Sequence, residues 1–226
     1  MRRKPTETAA LNLERALWAK GYRAVAGIDE VGRGAWAGPV AAGAVIFPPD
    51  RDDLRTILEG VRDSKQLRPA AREALIGRIK ATALGWGIGA ASNDEIDALH
   101  IVPATCLAMG RALDDLTRRF PAVTTDFLLL DSIRCAAFEM GTLPHRAIVN
   151  GDRLSLSIAA ASILAKVWRD EQMTHYDRLY PEFGFGINKG YGVAAHRAAL
   201  KQHAPCKIHR MTFRPMLQPD LLSESE

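Results

Sequence analysis

An α/β domain built on a mixed β-sheet is predicted by three features of this 226-residue chain. Apolar runs rich in Val, Ile and Ala alternate with segments of helical spacing, the first two runs follow one another as a hairpin would, and acidic residues stand where apolar runs end. Ligands of such sheets gather at strand ends. With 47% hydrophobic and 25% charged residues, the chain is long enough for one core. The expected organisation is a single domain over 1–226, with residues 1–21 as a helical extension and 216–226 as a mobile tail.

Each element has its own warrant. Leu13 and Leu17 at i, i+4 and Leu11 and Trp18 at i, i+7 predict a helix over 7–20, with Thr6 or Thr8 as cap and Gly21 as its end. Tyr22 to Ile28 and Gly38 to Phe47 read as strands, the second closed by Pro48-Pro49. Residues 50–60 and 69–82 read as helices, the latter with Pro69 in its first turn, and 84–91 as a strand despite its glycines. Asn93 is the expected cap of a short helix to Leu99, and Pro103 opens a longer one through Arg118. Phe127 to Leu130 form a short strand ending on Asp131, and 146–149 a weak one. A long alanine-rich helix is expected from about Leu154 to Tyr176.

Composition excludes several function classes. A net charge of +4 and a pI near 9.1 permit nucleic-acid binding without arguing for it. Cys106, Cys135 and Cys206 are odd in number and far apart, so neither a disulfide framework nor a zinc site is indicated, and a reducing compartment follows. No apolar run reaches membrane-spanning length, and the basic start leads into no signal-like segment; the expected location is the cytoplasm. No Ser-His or Cys-His nucleophilic arrangement stands out, and His196 and His209 read as surface or capping residues.

Four carboxylates stand at predicted element ends: Asp29 and Glu30 after the first strand, Asp131 after three leucines, and Asp152 before the long helix. Adjacent carboxylates repel unless a positive group holds them, and an oxygen-only set suits Mg²⁺ or Mn²⁺. Two such ions about 3.5 to 4 Å apart activate water and stabilise the leaving oxygen of a phosphodiester. The competing reading of Asp29 and of Asp152 is an ordinary helix cap or turn. Gly32-Arg33-Gly34 adds close backbone approach and a forked donor suited to phosphate. Lys65, the helix face of Ser162, Lys166 and Arg169, and Tyr191 between Gly190 and Gly192 are candidate nucleic-acid contacts. Their competing readings are a solvated lysine, a solvated face opposite a core side of Leu156, Ala160, Ile163 and Val167, and a tyrosine buried at a turn.

In combination these segments resemble ribonuclease HII: 27–34 with Ala37-Gly38-Pro39-Val40, Asp63-Ser64-Lys65-Gln66-Leu67, Leu129-Leu130-Asp131, Gly151-Asp152, 160–167 with Arg169-Asp170, and Lys189-Gly190-Tyr191-Gly192 with His196. The likeness runs from about Tyr22 to Pro215. It implies a ribonuclease H-like fold, a mixed sheet flanked by helices with a helical C-terminal part. It further implies an endonuclease that cuts the RNA strand of RNA–DNA hybrids and nicks duplex DNA 5′ of embedded ribonucleotides, leaving 3′-hydroxyl and 5′-phosphate ends. Asp29, Glu30, Asp131 and Asp152 become the catalytic, metal-binding set, with two ions when substrate is bound. Gly32, Arg33 and Gly34 become readers of the 2′-hydroxyl and adjoining phosphate, and Tyr191 the platform for the next sugar, with Lys65, Ser162 and Lys166 as further substrate contacts.

Two positions depart from the family pattern, Ser132 where glycine is usual and Asn150 where lysine is common. The residues before Tyr22 leave no room for the extra N-terminal domain of the sister family, ribonuclease HIII. Two rivals stand beside the leading reading: a DNA nuclease or strand-transfer protein of the same fold, and a non-catalytic hybrid-binding protein, against which the presence of all four carboxylates argues. Gln218-Pro219-Asp220-Leu221-Leu222 resembles the short peptides by which bacterial repair enzymes dock on the sliding clamp.

Overall fold

The computed structural model describes residues 8–131 and 142–218. Its centre is a five-stranded sheet in the order β3-β2-β1-β4-β5, formed by β1 (Val25–Val31), β2 (Val40–Ile46), β3 (Gly85–Ala91), β4 (Phe127–Asp131) and β5 (His145–Ile148). The first three strands form an antiparallel meander, and β4 and β5 add in parallel on the far side of β1. The hairpin and the mixed sheet are thus as expected. One boundary differs in a way that matters, because β1 continues through Asp29 and Glu30 to Val31 and both acids lie inside the strand. Backbone pairing with Gly43 and Ala42 of β2 holds them there.

Helices cover both faces of the sheet. On one face α5 (Ile101–Arg119) lays Ala108, Met109 and Ala112 against Ala26, Ile28, Ala42, Ala44, Leu128 and Leu130. The glycines of β3 serve this contact, since a Cβ at Gly87 or Gly89 would overlap the backbone of α5 at Ala112 or Ala108. On the other face lies α7 (Leu156–Leu179), supported by α3 (Pro69–Thr82), with Val45, Phe47, Leu75, Ile79, Ile163 and Leu164 forming that core. From Leu156 to Ala165 every residue of α7 is buried, so the exposed polar face expected along Ser162, Lys166 and Arg169 is absent there. The correction has a simple cause. The α3 helix and the loop before it cover the side of α7 that the sheet leaves open, and neither is visible in the periodicity of α7.

Other boundaries shift for local reasons. The N-terminal helix, α1 (Asn12–Trp18), begins later than predicted, because Thr8 accepts a hydrogen bond from the Gly60 amide at 3.1 Å instead of capping a helix. Thr6 lies outside the described residues. The expected helix over 50–60 is a single turn, α2 (Leu54–Ile57), ended by turns up to Gly60 at φ +92°. The short helix α4 (Asn93–Leu99) is capped by Ser92, which exchanges hydrogen bonds with Glu95 in a capping box, and not by Asn93. Of the cysteines, Cys206 is free, and Cys135 lies outside the described residues.

The chain before β1 is anchored by a buried acid. Glu14 of α1 is fully buried and its Oε1 accepts from the Ser155 hydroxyl at 2.6 Å, the Ser157 hydroxyl at 2.7 Å and the Ser157 amide at 2.9 Å. A carboxylate at an α-helix N-terminus meets unpaired amides and the positive end of the dipole. Here it ties α1 to the corner between α6 (Gly151–Leu154) and α7.

After α7 come the short helices α8 (Phe185–Asn188), α9 (Ala194–Gln202) and α10 (Arg214–Leu217), which supply the helical C-terminal part. They form a satellite core of Phe183, Phe185, Leu200 and Ile208 around Ala37 and Met173. Among the described residues no helix is long and apolar enough to cross a membrane. The tail beyond Gln218 lies outside the described residues.

Candidate active site

The carboxylates meet where β1 and β4 end. Ile28 pairs with Leu130, so the next residues, Asp29 and Asp131, follow on adjacent parallel strands and on the same side of the sheet. Asp29 is 5% exposed; it accepts from the Glu30 amide at 2.7 Å and from the Ser162 hydroxyl on α7. Alternation turns Glu30 the other way, where its Oε1 lies 3.4 Å from Arg33. Asp131 accepts from the Gly151 amide at 2.8 Å, which fixes the carboxylate against the start of α6. Gly151 follows Asn150 at φ +57°, a conformation that asparagine tolerates better than most side chains. Asn150 therefore suits its place in this turn.

Asp152 sits in the first turn of α6, close enough to Asp131 and Asp63 for both to raise its pKa, after burial, while Lys65 opposes them. In the sequence Asp63 stands only as part of a motif. It caps the 3₁₀ turn Ser64–Gln66 through the Lys65 amide at 2.9 Å, and so brings a fifth acid to the group. Ser64 and Ser162 share a hydrogen bond of 2.8 Å, joining this turn to Asp29, and Arg72 holds the turn through the carbonyls of Ser64 and Leu67 at 3.0 and 2.8 Å. Ser162 is consequently buried behind Asp29. Lys166 pairs with Asp170 at 2.6 Å beside an open cleft of about 820 Å³ that Lys65, Arg72 and Lys189 also line.

Burial is the first cause that lifts Asp29 well above the usual carboxylate range, followed by the charges of Glu30 and Asp131. Burial raises Glu30 as well, with Arg33 opposing and Asp131 adding. Asp131 is thus the common neighbour of Asp29, Glu30 and Asp152. Among the described residues no three His, Cys, Asp or Glu side chains are already drawn together at metal-holding distances. The donor set nonetheless fits a divalent cation, because Glu30 Oε2 is buried without a hydrogen-bond partner among the described residues and the acids repel one another.

Gly32-Arg33-Gly34 leaves β1 directly beside Glu30. Gly32 has φ +93°, and a Cβ there would overlap the Arg169 side chain. Gly34 is different: its φ is not positive, and a Cβ would meet nothing within 4 Å. Tyr191 is half-buried, with the Arg169 guanidinium 5.5 Å from its ring centre. Backbone hydrogen bonds from Trp36 to Gly190 (2.7 Å), from Gly38 to Ile208 (2.9 Å) and from Arg210 to Trp36 (2.8 Å) knit the segments around 36, 190 and 209 together.

His196 and His209, expected at the surface, are both buried, at 0% and 1% exposure, among Phe183, Phe185 and Trp36. An amide can only donate, so His209 Nδ1 accepts from Cys206 N–H (2.9 Å). His209 Nε2 then donates to His196 Nε2 (3.0 Å), and His196 Nδ1 donates to the Tyr191 carbonyl (3.0 Å). Residues 206 to 209 lie far from 191 in sequence and carry no period, so no pattern announced this pairing.

The fold and this acidic strand-end cluster define a ribonuclease H-like, metal-dependent hydrolase. Residues 26–216 match the family model described as Ribonuclease HII. Ribonuclease HII of Syntrophotalea carbinolica is 50% identical over 208 residues, covering 92% of this chain and 93% of the relative, and that of Roseiflexus castenholzii is 50% identical over 203, covering 90% and 87%. The crystal structure of ribonuclease H2 from Pyrococcus horikoshii OT3 is 26% identical with a TM-score of 0.71, covering 89% of this chain and all of that one. The chain belongs to the ribonuclease HII family, and is an endonuclease of the ribonuclease H type acting on RNA–DNA hybrids.

The histidine pair makes stability sensitive to acid. Burial first, then the proximity of His196, lowers His209 from 6.5 to about 4, and burial lowers His196 too. The unfolded chain takes up a proton at position 209 near pH 6.5, whereas the folded protein resists it down to about pH 4. This contribution to stability is full above pH 6.5 and is lost progressively as pH falls toward 4. Denaturant midpoints measured across that window should decline more steeply for the native protein than for His209→Gln. Parallel profiles would refute the assignment.

Proposed function

We propose that this enzyme, besides cutting the RNA strand of RNA–DNA hybrids, incises duplex DNA on the 5′ side of single embedded ribonucleotides, leaving 3′-hydroxyl and 5′-phosphate ends. The observation that carries the reading is the contact between Arg33 and Glu30, which makes the glycine-flanked loop and the carboxylates neighbours. A loop that reads a ribose there would do so one step from the acids that serve the reaction. Only the 2′-hydroxyl distinguishes a ribonucleotide inside DNA, so the reader must approach closely.

Asp29, Glu30, Asp131 and Asp152 would hold Mg²⁺ or Mn²⁺, and such ions supply Lewis acidity and a nucleophilic water at neutral pH. The chain's own residues do the remaining work. Gly151 and Ser162 orient Asp131 and Asp29 through the hydrogen bonds they donate. Gly34 leaves open space for the sugar edge, Arg33 offers its fork to the adjoining phosphate, and the exposed Lys65 lies toward Asp152, where a neighbouring phosphate would pass. Tyr191 offers part of a ring face to the next sugar. Lys166, paired with Asp170 beside the cleft, would meet the backbone of the same strand.

The test is a DNA duplex holding one ribonucleotide, incubated with purified protein and each cation in turn. Cleavage is expected with Mg²⁺ or Mn²⁺ and none with chelator, and Asp131→Asn should abolish it while melting as a folded protein. Wild-type activity of Asp131→Asn would sink the carboxylate assignment. Equal cutting of an all-DNA duplex would favour a DNA nuclease instead.

The two glycines separate folding from recognition. Gly34→Ala should leave the melting temperature unchanged and lower single-ribonucleotide incision about tenfold or more, some 1.4 kcal/mol or above at the transition state. Gly32→Ala should lose stability, since the positive φ and Arg169 both oppose a side chain. Full activity of Gly34→Ala would remove the loop from substrate recognition.

The peptide Gln218 to Leu222 supports a sliding clamp as partner, by its sequence alone. Deleting it should weaken clamp binding in a pull-down without altering cleavage of free duplex. Unchanged clamp affinity retires the idea.

A further inference from the structure

Arg169 and Arg210 are fully buried, yet among the described residues neither forms an ion pair with a carboxylate. Their hydrogen bonds go to main-chain carbonyls instead, with Arg210 Nη2 buried and without a partner among the described residues. Arg169 donates to Pro39 O (2.8 Å), Ala37 O (3.1 Å) and Lys189 O (2.9 Å), and Arg210 to Gly38 O and Arg33 O (both 2.9 Å). Four of the five acceptors lie in the segment 33–39 and the fifth immediately precedes Gly190-Tyr191. A buried, unneutralised guanidinium is expensive, and two of them a few residues from each other's acceptors more so. A fold that needed only to fill this volume would use apolar side chains. A planar five-donor fork does what they cannot: it fixes several carbonyls at set distances and angles at once.

We propose that Arg169 and Arg210 are positioning residues for ribonucleotide recognition, holding the 33–39 loop and the Lys189–Tyr191 turn as one rigid unit so that both meet a single nucleotide in register. This rests on the reading, argued above, that Gly32-Arg33-Gly34 and Tyr191 contact the ribose and its neighbour. Arg169 joins the two pieces, with its side chain filling the space beside Gly32, its Nη1 on Lys189 O and its guanidinium over the Tyr191 ring. Arg210 ties the same loop to the C-terminal segment, stacking on Phe213 with its carbon 5.0 Å from the ring centre. The role predicts a particular kinetic signature. In an all-RNA strand every register offers a ribose, so a loosened reader still finds one. A single ribonucleotide offers one register, and misplacement there costs rate.

The experiment compares kcat and KM on a one-ribonucleotide duplex with those on an RNA–DNA hybrid for Arg169→Lys, Arg210→Lys and Tyr191→Ala. Each lysine variant keeps the charge and loses the fork. The expected result is a kcat/KM that falls ~10- to 100-fold more on the one-ribonucleotide duplex than on the hybrid, the size of effect that a displacement of about 1 Å produces. Equal falls on both substrates would mean that the arginines only stabilise the fold, and would overturn the proposal. If Tyr191→Ala leaves the ratio of the two substrates unchanged, the underlying reading fails instead. Should a lysine variant not fold, hydrogen exchange on the wild-type protein decides: the Trp36, Gly38 and Arg210 amides must exchange far more slowly than those of an open loop. Exchange at open-loop rates would overturn the proposal without any variant.

Discussion

Parallel pairing of β4 on β1 is the constraint from which the site follows. It sets Asp131 next to Asp29 and puts two like charges where burial makes the charged forms costly. Each device around them can be understood as an answer to that cost. The Gly151 amide and the Ser162 hydroxyl donate to the two acids, Arg33 faces Glu30, and Lys65 faces Asp152. What they leave unsatisfied, notably Glu30 Oε2, suits a cation better than further protein donors. An acidic cluster that is electrostatically unfavourable by itself is the expected condition of a metal-dependent nuclease between substrates.

The loop proposed to recognise the ribonucleotide is held by different means. Around the carboxylates side chains are held by amides and hydroxyls, whereas around the 33–39 loop the main chain is held by buried arginines. The first arrangement leaves acidic groups close together, and the second removes freedom from a loop. The histidine pair belongs with the second. Through the Tyr191 carbonyl it links the aromatic turn to residues 206–209, so the C-terminal helices brace the site as well as the core. A chain that ended after α7 would keep its acids and lose the frame of the loop beside them.

Much of this was legible because short-range physics governs it. Hairpin order, the strand ending on Asp131, α3 with Pro69 at its start, and the candidate acids all carry signatures within a few residues. The misreadings share a cause. Ser162 and Arg169 read as part of an open polar face, a candidate nucleic-acid contact, because helical spacing reports which residues share a side, and not what else covers that side. His196 and His209 looked exposed because polar neighbours surround them in sequence, while Phe183, Phe185 and Trp36 surround them in space. Arg210 carried no local signal. Asp63 did carry one, in its place ahead of Ser64-Lys65, but only its proximity to Asp152 gives it meaning.

By itself the sequence determined the fold class and offered the four acids and the glycine-arginine loop as candidates, because residue type and spacing act through local backbone preference and through the kind of chemistry a side chain can do. Tertiary structure decided which groups are buried together, and burial sets both the cost of a charge and the partners it needs. That is why Arg169 and the two histidines, open to solvent in the sequence reading, are buried in the fold, and why the roles of Glu14 and Arg210 emerge only there. The neighbourhood of Asp29 and Asp131 follows from a strand pairing between residues a hundred positions apart, which no local pattern encodes.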